Sequence, residues 1–169
     1  HDAMQGSYLG PRFQADEIRA QLDAQGAVYE ELDDAALSER LGAVLADEKV
    51  VGWFQGRMEF GPRALGNRSI LGDARHPEMQ KKLNLKIKYR EGFRPFAPSV
   101  LEDRCGDFFG SDRASPYMLR VYPTLPQRAA ILPAVTHIDG GARVQRADGG
   151  RTAGRGSAPV GGGKAVRGG

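Results

Sequence analysis

The 169-residue sequence contains one cysteine, Cys105, and no apolar run long enough to cross a lipid bilayer. A single cysteine excludes an intramolecular disulfide and a thiolate cluster, and it favours a reducing compartment such as the cytoplasm. The first residues, HDAMQGSYLG, are not a signal peptide. Because they also lack an initiator methionine, we expect the chain to be a fragment, a processed product or an incomplete gene.

Signatures of covalent and metal-dependent catalysis are also missing from the sequence. It contains no serine–histidine–aspartate pattern at a recognisable elbow, no His-x-x-His or Glu-x-x-His pair, and no GxxxxGK[ST] phosphate-binding loop. The sequence therefore predicts no metal site. It points to binding and charge neutralisation rather than to a nucleophilic side chain.

Positive charge is concentrated in the middle of the chain and at its end. The formal net charge is +3, but residues 1–50 carry 4 basic and 11 acidic side chains, whereas residues 51–104 carry 11 basic and 6 acidic ones. Residues 146–169 hold 5 basic side chains, 1 acidic one and 9 glycines. Such a segment cannot bury a core, so we expect one domain over residues 1–145 followed by a disordered basic tail.

Hydrophobic spacing predicts an α/β domain. Helical periodicity indicates helices over residues 15–25, 33–47 and 77–89, with Asp33 or Asp34 as the N-cap of the second. β-Branched and aromatic runs indicate strands between and after these helices. The expected strands and the last turn are residues 27–32, 49–56, 68–73, 97–101 and 117–122, and Asp139-Gly140-Gly141. Helices that alternate with strands favour a layered α/β architecture.

The first of two basic runs is GRMEFGPRALG, residues 56–66. Gly61-Pro62 predicts a non-helical turn, and Arg63 follows it directly. A guanidinium group binds phosphate or carboxylate oxygens two at a time, so this loop is suited to an anion. We expect Glu59 to hold an arginine of this loop in place.

The second basic run is KIKYREGFRPFAPS, residues 86–99. Its prolines argue against a helix, and if the backbone is extended, then Lys88, Arg90 and Arg94 project towards one side. Glu91 is expected to hold one of these arginines. The two runs together predict a preorganised anion site on loops carried by a rigid scaffold.

These runs lie in two longer motifs with a recognisable identity. VVGWFQGRMEFGPRALGNRSIL (50–71) and KIKYREGFRPFAPSVLED (86–103) closely resemble the C-terminal domain of the O-carbamoyltransferases, which carbamoylate antibiotics and nodulation factors. Two weaker flanks, SYLGPRF (7–13) and PAVTHIDGGARVQ (133–145), fit the same family. The resemblance covers residues 7–145.

The resemblance implies a YrdC-like fold, in which helices flank a twisted mixed sheet. Such a domain would make carbamoyladenylate from carbamoyl phosphate and ATP, with magnesium, and release pyrophosphate and phosphate. The resemblance also implies an N-terminal, sugar-kinase-like domain that binds iron and transfers the carbamoyl group to a hydroxyl. That domain is absent from this sequence, and no membrane or nucleic-acid partner is expected.

The resemblance also assigns roles to basic residues. By position in the motifs, the residues expected to be catalytic are Arg63, Lys88 and Arg94. The residues expected to bind substrate or nucleotide are Arg63, Lys88, Arg94 and Arg143, with Arg57, Arg68 and Arg90 as weaker candidates. In the family an Asn-Thr-Ser-Phe-Asn segment follows the position of Gln145, and here the tail replaces it. We therefore expect a domain that is cut short and no complete carbamoyl transfer by this polypeptide alone.

Two other interpretations stay open at this point. The basic centre and tail could bind nucleic acid, with steep salt dependence and little sequence preference. Alternatively, the chain is an inactive product of truncation or a frameshift, since a Gly/Arg/Ala tail is typical of an out-of-frame GC-rich reading. The acidic first fifty residues and the Gly/Pro-rich loops favour a small anion over nucleic acid.

Overall fold

The helices of the protein follow its hydrophobic spacing. The structure, a computed structural model, describes residues 2–111, 113 and 115–147, so the predicted tail lies outside the described residues from residue 148 onward. The α-helices of the described part are α1 (Ala15–Ala24), α2 (Asp34–Ala46), α3 (Met79–Lys86) and α4 (Pro126–Ala129). The first three are the helices predicted from the sequence.

Side-chain caps set where α1 and α2 begin. The carboxylate of Asp33 accepts a hydrogen bond from the Ala36 N–H at 2.8 Å, which makes Asp33 the N-cap of α2. Before α1, the Gln14 N–H donates to the Glu17 carboxylate at 2.6 Å, one half of a capping box. No residue of α1 is buried, so α1 lies on the surface, whereas α2 packs on the strand that follows it.

The strands pair two by two. In chain order they are β1 (Val51–Phe54), β2 (Arg68–Leu71), β3 (Ser99–Leu101), β4 (Tyr122–Pro123), β5 (Gly141–Ala142) and β6 (Gln145–Ala147). β1 pairs with β2 and β4 with β5, both antiparallel, while β3 and β6 are parallel. The α/β class is confirmed, but the described strands form three short sheets instead of one twisted mixed sheet. The described strands are only two to four residues long, and helical segments separate most of them along the chain. Strands this short add little to a common sheet.

Two predicted strands and the predicted end of the domain differ most from the structure. Residues 27–32 form no strand, since this segment has no neighbouring strand with which to pair. The backbone turns at Met118, whose φ is 51°, so that β4 begins only at Tyr122. The ordered domain also extends past residue 145, because Arg146 and Ala147 belong to β6 and pair with β3.

Two hydrophobic clusters hold β2 from opposite sides. Ile70 packs into the larger cluster, where Leu83 of α3 is only 2% exposed. The next residue, Leu71, packs into the smaller cluster with Leu41 and Leu45 of α2. Successive side chains of a strand point to opposite faces, so β2 connects α2 to the main core. This arrangement fixes α2 opposite the loops that carry the basic runs.

Asp73, just after β2, is a buried carboxylate with a cationic partner. Its side chain is 3% exposed, and it accepts hydrogen bonds from the Arg75 backbone N–H and from Arg75 Nε, each at 2.9 Å. Burial alone would raise the pKa of Asp73, but the hydrogen bonds and charge of Arg75 outweigh it and hold this pKa below its ordinary value. The ionised form of Asp73 therefore stabilises the fold.

This lowered pKa predicts how stability depends on pH. The unfolded-state pKa of an aspartate is about 3.9, so the contribution of Asp73 is present above about pH 4 and is lost as the pH falls through the lower folded-state pKa. We expect Asp73→Asn to destabilise the protein at neutral pH, and the gap from wild type to narrow between about pH 5 and pH 3. Urea unfolding of both proteins across this range measures the gap, and a gap independent of pH would contradict the assignment.

Candidate anion-binding site

A cavity of about 260 Å³ lies between α2, the β1–β2 pair and the loops of the two basic runs. Its lining includes one carboxylate, that of Asp34, and five cationic side chains. These cations are Arg63, Arg68, Lys88, Arg90 and Arg143. The excess of positive charge makes the cavity suited to an anion.

The loop between β1 and β2 is organised around the carboxylate of Glu59. This side chain is 9% exposed, and its Oε1 accepts hydrogen bonds from the backbone N–H groups of Leu65 at 2.8 Å, Asn67 at 2.7 Å and Arg68 at 3.3 Å. Glu59 thus holds the loop backbone, whereas the sequence predicted that it would hold an arginine side chain. The closed loop presents Arg63 to the cavity.

Gly66 lets this loop approach Gln145 of β6 closely. Its φ is +111°, and a Cβ built there would lie 2.9 Å from Gln145 Nε2. The Gly66 carbonyl accepts a hydrogen bond from Gln55 Nε2 at 3.0 Å. The loop is therefore fixed between β1 and β6, next to Arg143 on the segment that leads into β6.

Arg63, Arg90 and Arg143 form a cluster of like charges, which we call the arginine cluster. Arg143 is exposed over much of its side chain, yet partial burial lowers the pKa of its guanidinium, and the charges of Arg63 and Arg90 lower it further. Arg63 Nε is buried and has no hydrogen-bond partner among the described residues. A buried, unsatisfied guanidinium nitrogen beside two like charges is unfavourable, and an anion bound in the cavity would offset the repulsion between these charges.

Arg90 is held in place by its neighbours. Its Nε donates a hydrogen bond to Asn84 Oδ1 at 2.7 Å, and its guanidinium carbon lies 4.9 Å from the centroid of the Phe96 ring. Burial lowers the pKa of Arg90, as does the nearby charge of Arg94, while Glu91 opposes the shift. Packing on a helix residue and a buried ring leaves Arg90 few alternative positions.

The second basic run is turned, not extended as the sequence predicted. Tyr89 has a φ of 49°, and the Arg94 N–H donates to the Glu91 carbonyl at 3.3 Å. Arg94 Nε pairs with the Glu91 carboxylate at 2.8 Å, which confirms the expected role of Glu91. Lys88 and Arg90 line the cavity, whereas Arg94 is exposed and is not part of the lining.

Arg57 and Arg68 make structural contacts. Arg68 donates to three backbone carbonyls of the turn between β1 and β2, and its guanidinium carbon lies 3.6 Å from the Phe54 ring centroid. Arg57 donates to the Gly10 carbonyl at 3.0 Å and lies outside the cavity lining. The structure thus groups five cations at one cavity, while Arg57 contacts the N-terminal segment. Of these five, Arg68 is also bound to the turn between β1 and β2.

The sequence analysis did not predict that α2 lines the cavity together with the basic loops. We call this side of the cavity the α2 wall. Its members are Asp34, Leu37, Ser38, Leu41 and Trp53. The four α2 residues share one face of the helix because they are spaced by three, four and seven positions. That spacing was visible in the sequence, but it is equally typical of a helix face that packs on the core.

Metal-ligand groups and membrane-spanning helices were looked for among the described residues. Among those residues, no group of three or more histidine, cysteine, aspartate or glutamate side chains could hold a metal ion. None of the helices described is both long and apolar enough to span a membrane. The anion site rests instead on the five cationic side chains of the cavity lining.

Comparison with known proteins identifies the family. Residues 42–152 match the family described as Carbamoyltransferase C-terminus. The chain is 51% identical over 166 residues to an uncharacterized protein of Synechocystis, covering 85% of this chain and 27% of that protein. It is 45% identical over 150 residues to Nodulation protein NolNO of Sinorhizobium fredii, covering 85% of this chain and 22% of the relative.

A second relative from Sinorhizobium fredii is also a nodulation protein. Nodulation protein U of Sinorhizobium fredii is 44% identical over 138 residues, covering 82% of this chain and 23% of the relative. The chain thus spans about a quarter of the length of the relatives it matches. Both motifs that carry the sequence resemblance lie inside the matched region. The chain therefore belongs to the carbamoyltransferase family, whose C-terminus it matches.

Proposed function

We propose that this chain binds carbamoyl phosphate and ATP and forms carbamoyladenylate. The observation that carries the proposal is the arginine cluster, in which Arg63 Nε is buried without a partner beside Arg90 and Arg143. Both substrates are polyanions whose oxygens can neutralise such a cluster. A cavity of about 260 Å³ also suits a small polyanion better than a nucleic-acid duplex, which needs an extended basic face.

The proposed reaction consumes carbamoyl phosphate, ATP and one water molecule, and it forms carbamoyladenylate, phosphate and pyrophosphate. Water releases phosphate from carbamoyl phosphate, and an oxygen of the resulting carbamate attacks the α-phosphorus of ATP. The bond between this phosphorus and the bridging oxygen then breaks, and pyrophosphate leaves. The arginine cluster and Lys88 would hold the phosphate oxygens in line and stabilise the negative charge that accumulates on them.

The remaining assignments follow the family resemblance and belong to the same proposal. They include the YrdC-like relationship of the fold, a cytoplasmic site of action, and an N-terminal domain that binds iron and transfers the carbamoyl group. Magnesium would accompany ATP as a counter-ion. Because Asp34 is the single carboxylate in the cavity lining, the described residues do not form a magnesium site on their own.

Calorimetry with the 169-residue chain tests the proposal. We expect carbamoyl phosphate and ATP each to bind saturably, because each offers phosphate oxygens to the arginine cluster. A pyrophosphate-release assay with both substrates present tests the chemical step. Binding without pyrophosphate release would show that the site is intact but that the chain alone does not catalyse the reaction. A well-folded sample that binds neither ligand would contradict the proposal.

A further inference from the structure

Asn84, near the end of α3, is a polar side chain with no exposed surface. Its exposure is 0%, and the residue before it, Leu83, belongs to the larger hydrophobic cluster. A buried amide is unfavourable unless its donor and its acceptor both find partners. Asn84 lies outside the cavity lining, so it can affect a bound ligand only through the residues that it contacts.

The donor half of this amide holds the turn of the second basic run. Asn84 Nδ2 donates hydrogen bonds to the backbone carbonyls of Gly92 at 3.1 Å and Arg94 at 2.8 Å. The Asn84 backbone carbonyl in turn accepts a hydrogen bond from the Arg90 N–H at 3.0 Å. The chain from Arg90 to Arg94 therefore folds around this one residue.

The acceptor half of the amide holds the guanidinium of Arg90. Asn84 Oδ1 accepts a hydrogen bond from Arg90 Nε at 2.7 Å, and the Phe96 ring lies against the same guanidinium. Nε is the nitrogen of this group that has an acceptor among the described residues, so Nη1 and Nη2 stay available to an anion in the cavity. Because a guanidinium binds two oxygens through one planar edge, its direction decides whether it can do so.

We infer that Asn84 is a positioning residue of the anion site. One amide fixes the backbone turn and the Nε edge of Arg90 before a ligand binds, so that the opposite edge of the guanidinium faces the cavity. Asparagine suits this task because its short side chain carries both donors and an acceptor, whereas aspartate would lack the donors and leucine would lack both. This inference rests on the proposed function, since it concerns how a phosphate-binding arginine is prepared.

Pyrophosphate binding by the 169-residue chain, measured by calorimetry, tests the role of Asn84. We expect Asn84→Ala to weaken binding about tenfold. Gln80→Ala is the matched control, because Gln80 Nε2 donates to the Phe93 and Arg94 carbonyls, each at 3.2 Å. Gln80 thus supports the same turn, but it is not the residue that holds the Arg90 guanidinium. Its replacement should change the affinity less than about twofold.

A double-mutant cycle separates positioning from a general loss of structure. If Asn84 acts through Arg90, then Asn84→Ala should change pyrophosphate affinity less than about twofold in a chain that already carries Arg90→Ala. An equal loss of affinity with and without Arg90 would show that Asn84→Ala only disturbs the fold, and the inference would be wrong.

Nuclear magnetic resonance of the wild-type chain gives a test that does not depend on the folding of an Asn84 variant. The Arg90 Nε–H signal, identified by its loss in Arg90→Lys, should exchange slowly with water in the ligand-free chain and shift little when pyrophosphate binds. A signal that is protected only with pyrophosphate present would contradict the inference, because the ligand would then be what fixes the guanidinium.

The outcomes also distinguish this inference from the proposed function. If the wild-type chain binds pyrophosphate and Asn84→Ala binds it equally well, the anion site stands and the inference is wrong. If the wild-type chain does not bind pyrophosphate, the proposed function and the inference fail together.

Discussion

Replacing Glu59 by alanine should destabilise the protein by about 3 kcal/mol. The Glu59 carboxylate accepts hydrogen bonds from three backbone N–H groups, and the pair with Leu65 is buried. Alanine would leave these donors unsatisfied, and the cost of a buried unsatisfied donor exceeds the net gain from an ordinary hydrogen bond. Urea unfolding followed by circular dichroism measures the loss. Because the same loop carries Arg63, pyrophosphate binding should weaken as well.

Two further variants make this prediction specific. Glu59→Gln keeps an oxygen acceptor in a side chain of the same shape, so it should recover most of the lost stability. Glu91→Ala removes an exposed carboxylate whose partner is Arg94, and it should change the free energy of unfolding by less than about 0.5 kcal/mol. If Glu59→Ala were as stable as Glu91→Ala, the carboxylate would not be what holds the loop.

The sequence predicted the helices well because their signals are local. Asp33 caps α2 through an N–H three residues away, and the spacing of Leu41 and Leu45 marks the buried face within the helix itself. The strands were harder to place. A strand needs a partner, and the run at residues 27–32 has the composition of a strand but no neighbour in the described structure.

Long-range contacts also decided the details of the site. Gly61-Pro62 correctly placed Arg63 in a turn, but nothing local shows that Glu59 holds the backbone of that loop. The turn at Tyr89 removed the even spacing on which the common direction of Lys88 and Arg94 depended. Because the cavity joins α2 to loops far along the chain, the role of its α2 side could not be read from helical spacing.

Replacing Arg63 by alanine should weaken pyrophosphate binding about 10- to 100-fold, as measured by calorimetry. Arg63 lines the cavity, where its guanidinium can contact a bound anion, and its buried Nε has no hydrogen-bond partner among the described residues. For the same reason, its removal leaves no protein acceptor at Nε unsatisfied. Folding stability of the ligand-free chain should therefore stay the same or rise, and the loss of affinity should not come from unfolding.

Arg94 is the matched control, because the family resemblance assigns it the same role as Arg63. Its guanidinium is exposed, pairs with Glu91 and lies outside the cavity lining, so Arg94→Ala should change the affinity less than about threefold. Arg63→Lys should recover only part of the affinity, because an ammonium group restores the charge without the planar fork. If Arg94→Ala abolished binding while Arg63→Ala did not, the phosphate site would lie on the outer surface of the second basic run. The arginine cluster would then need another explanation.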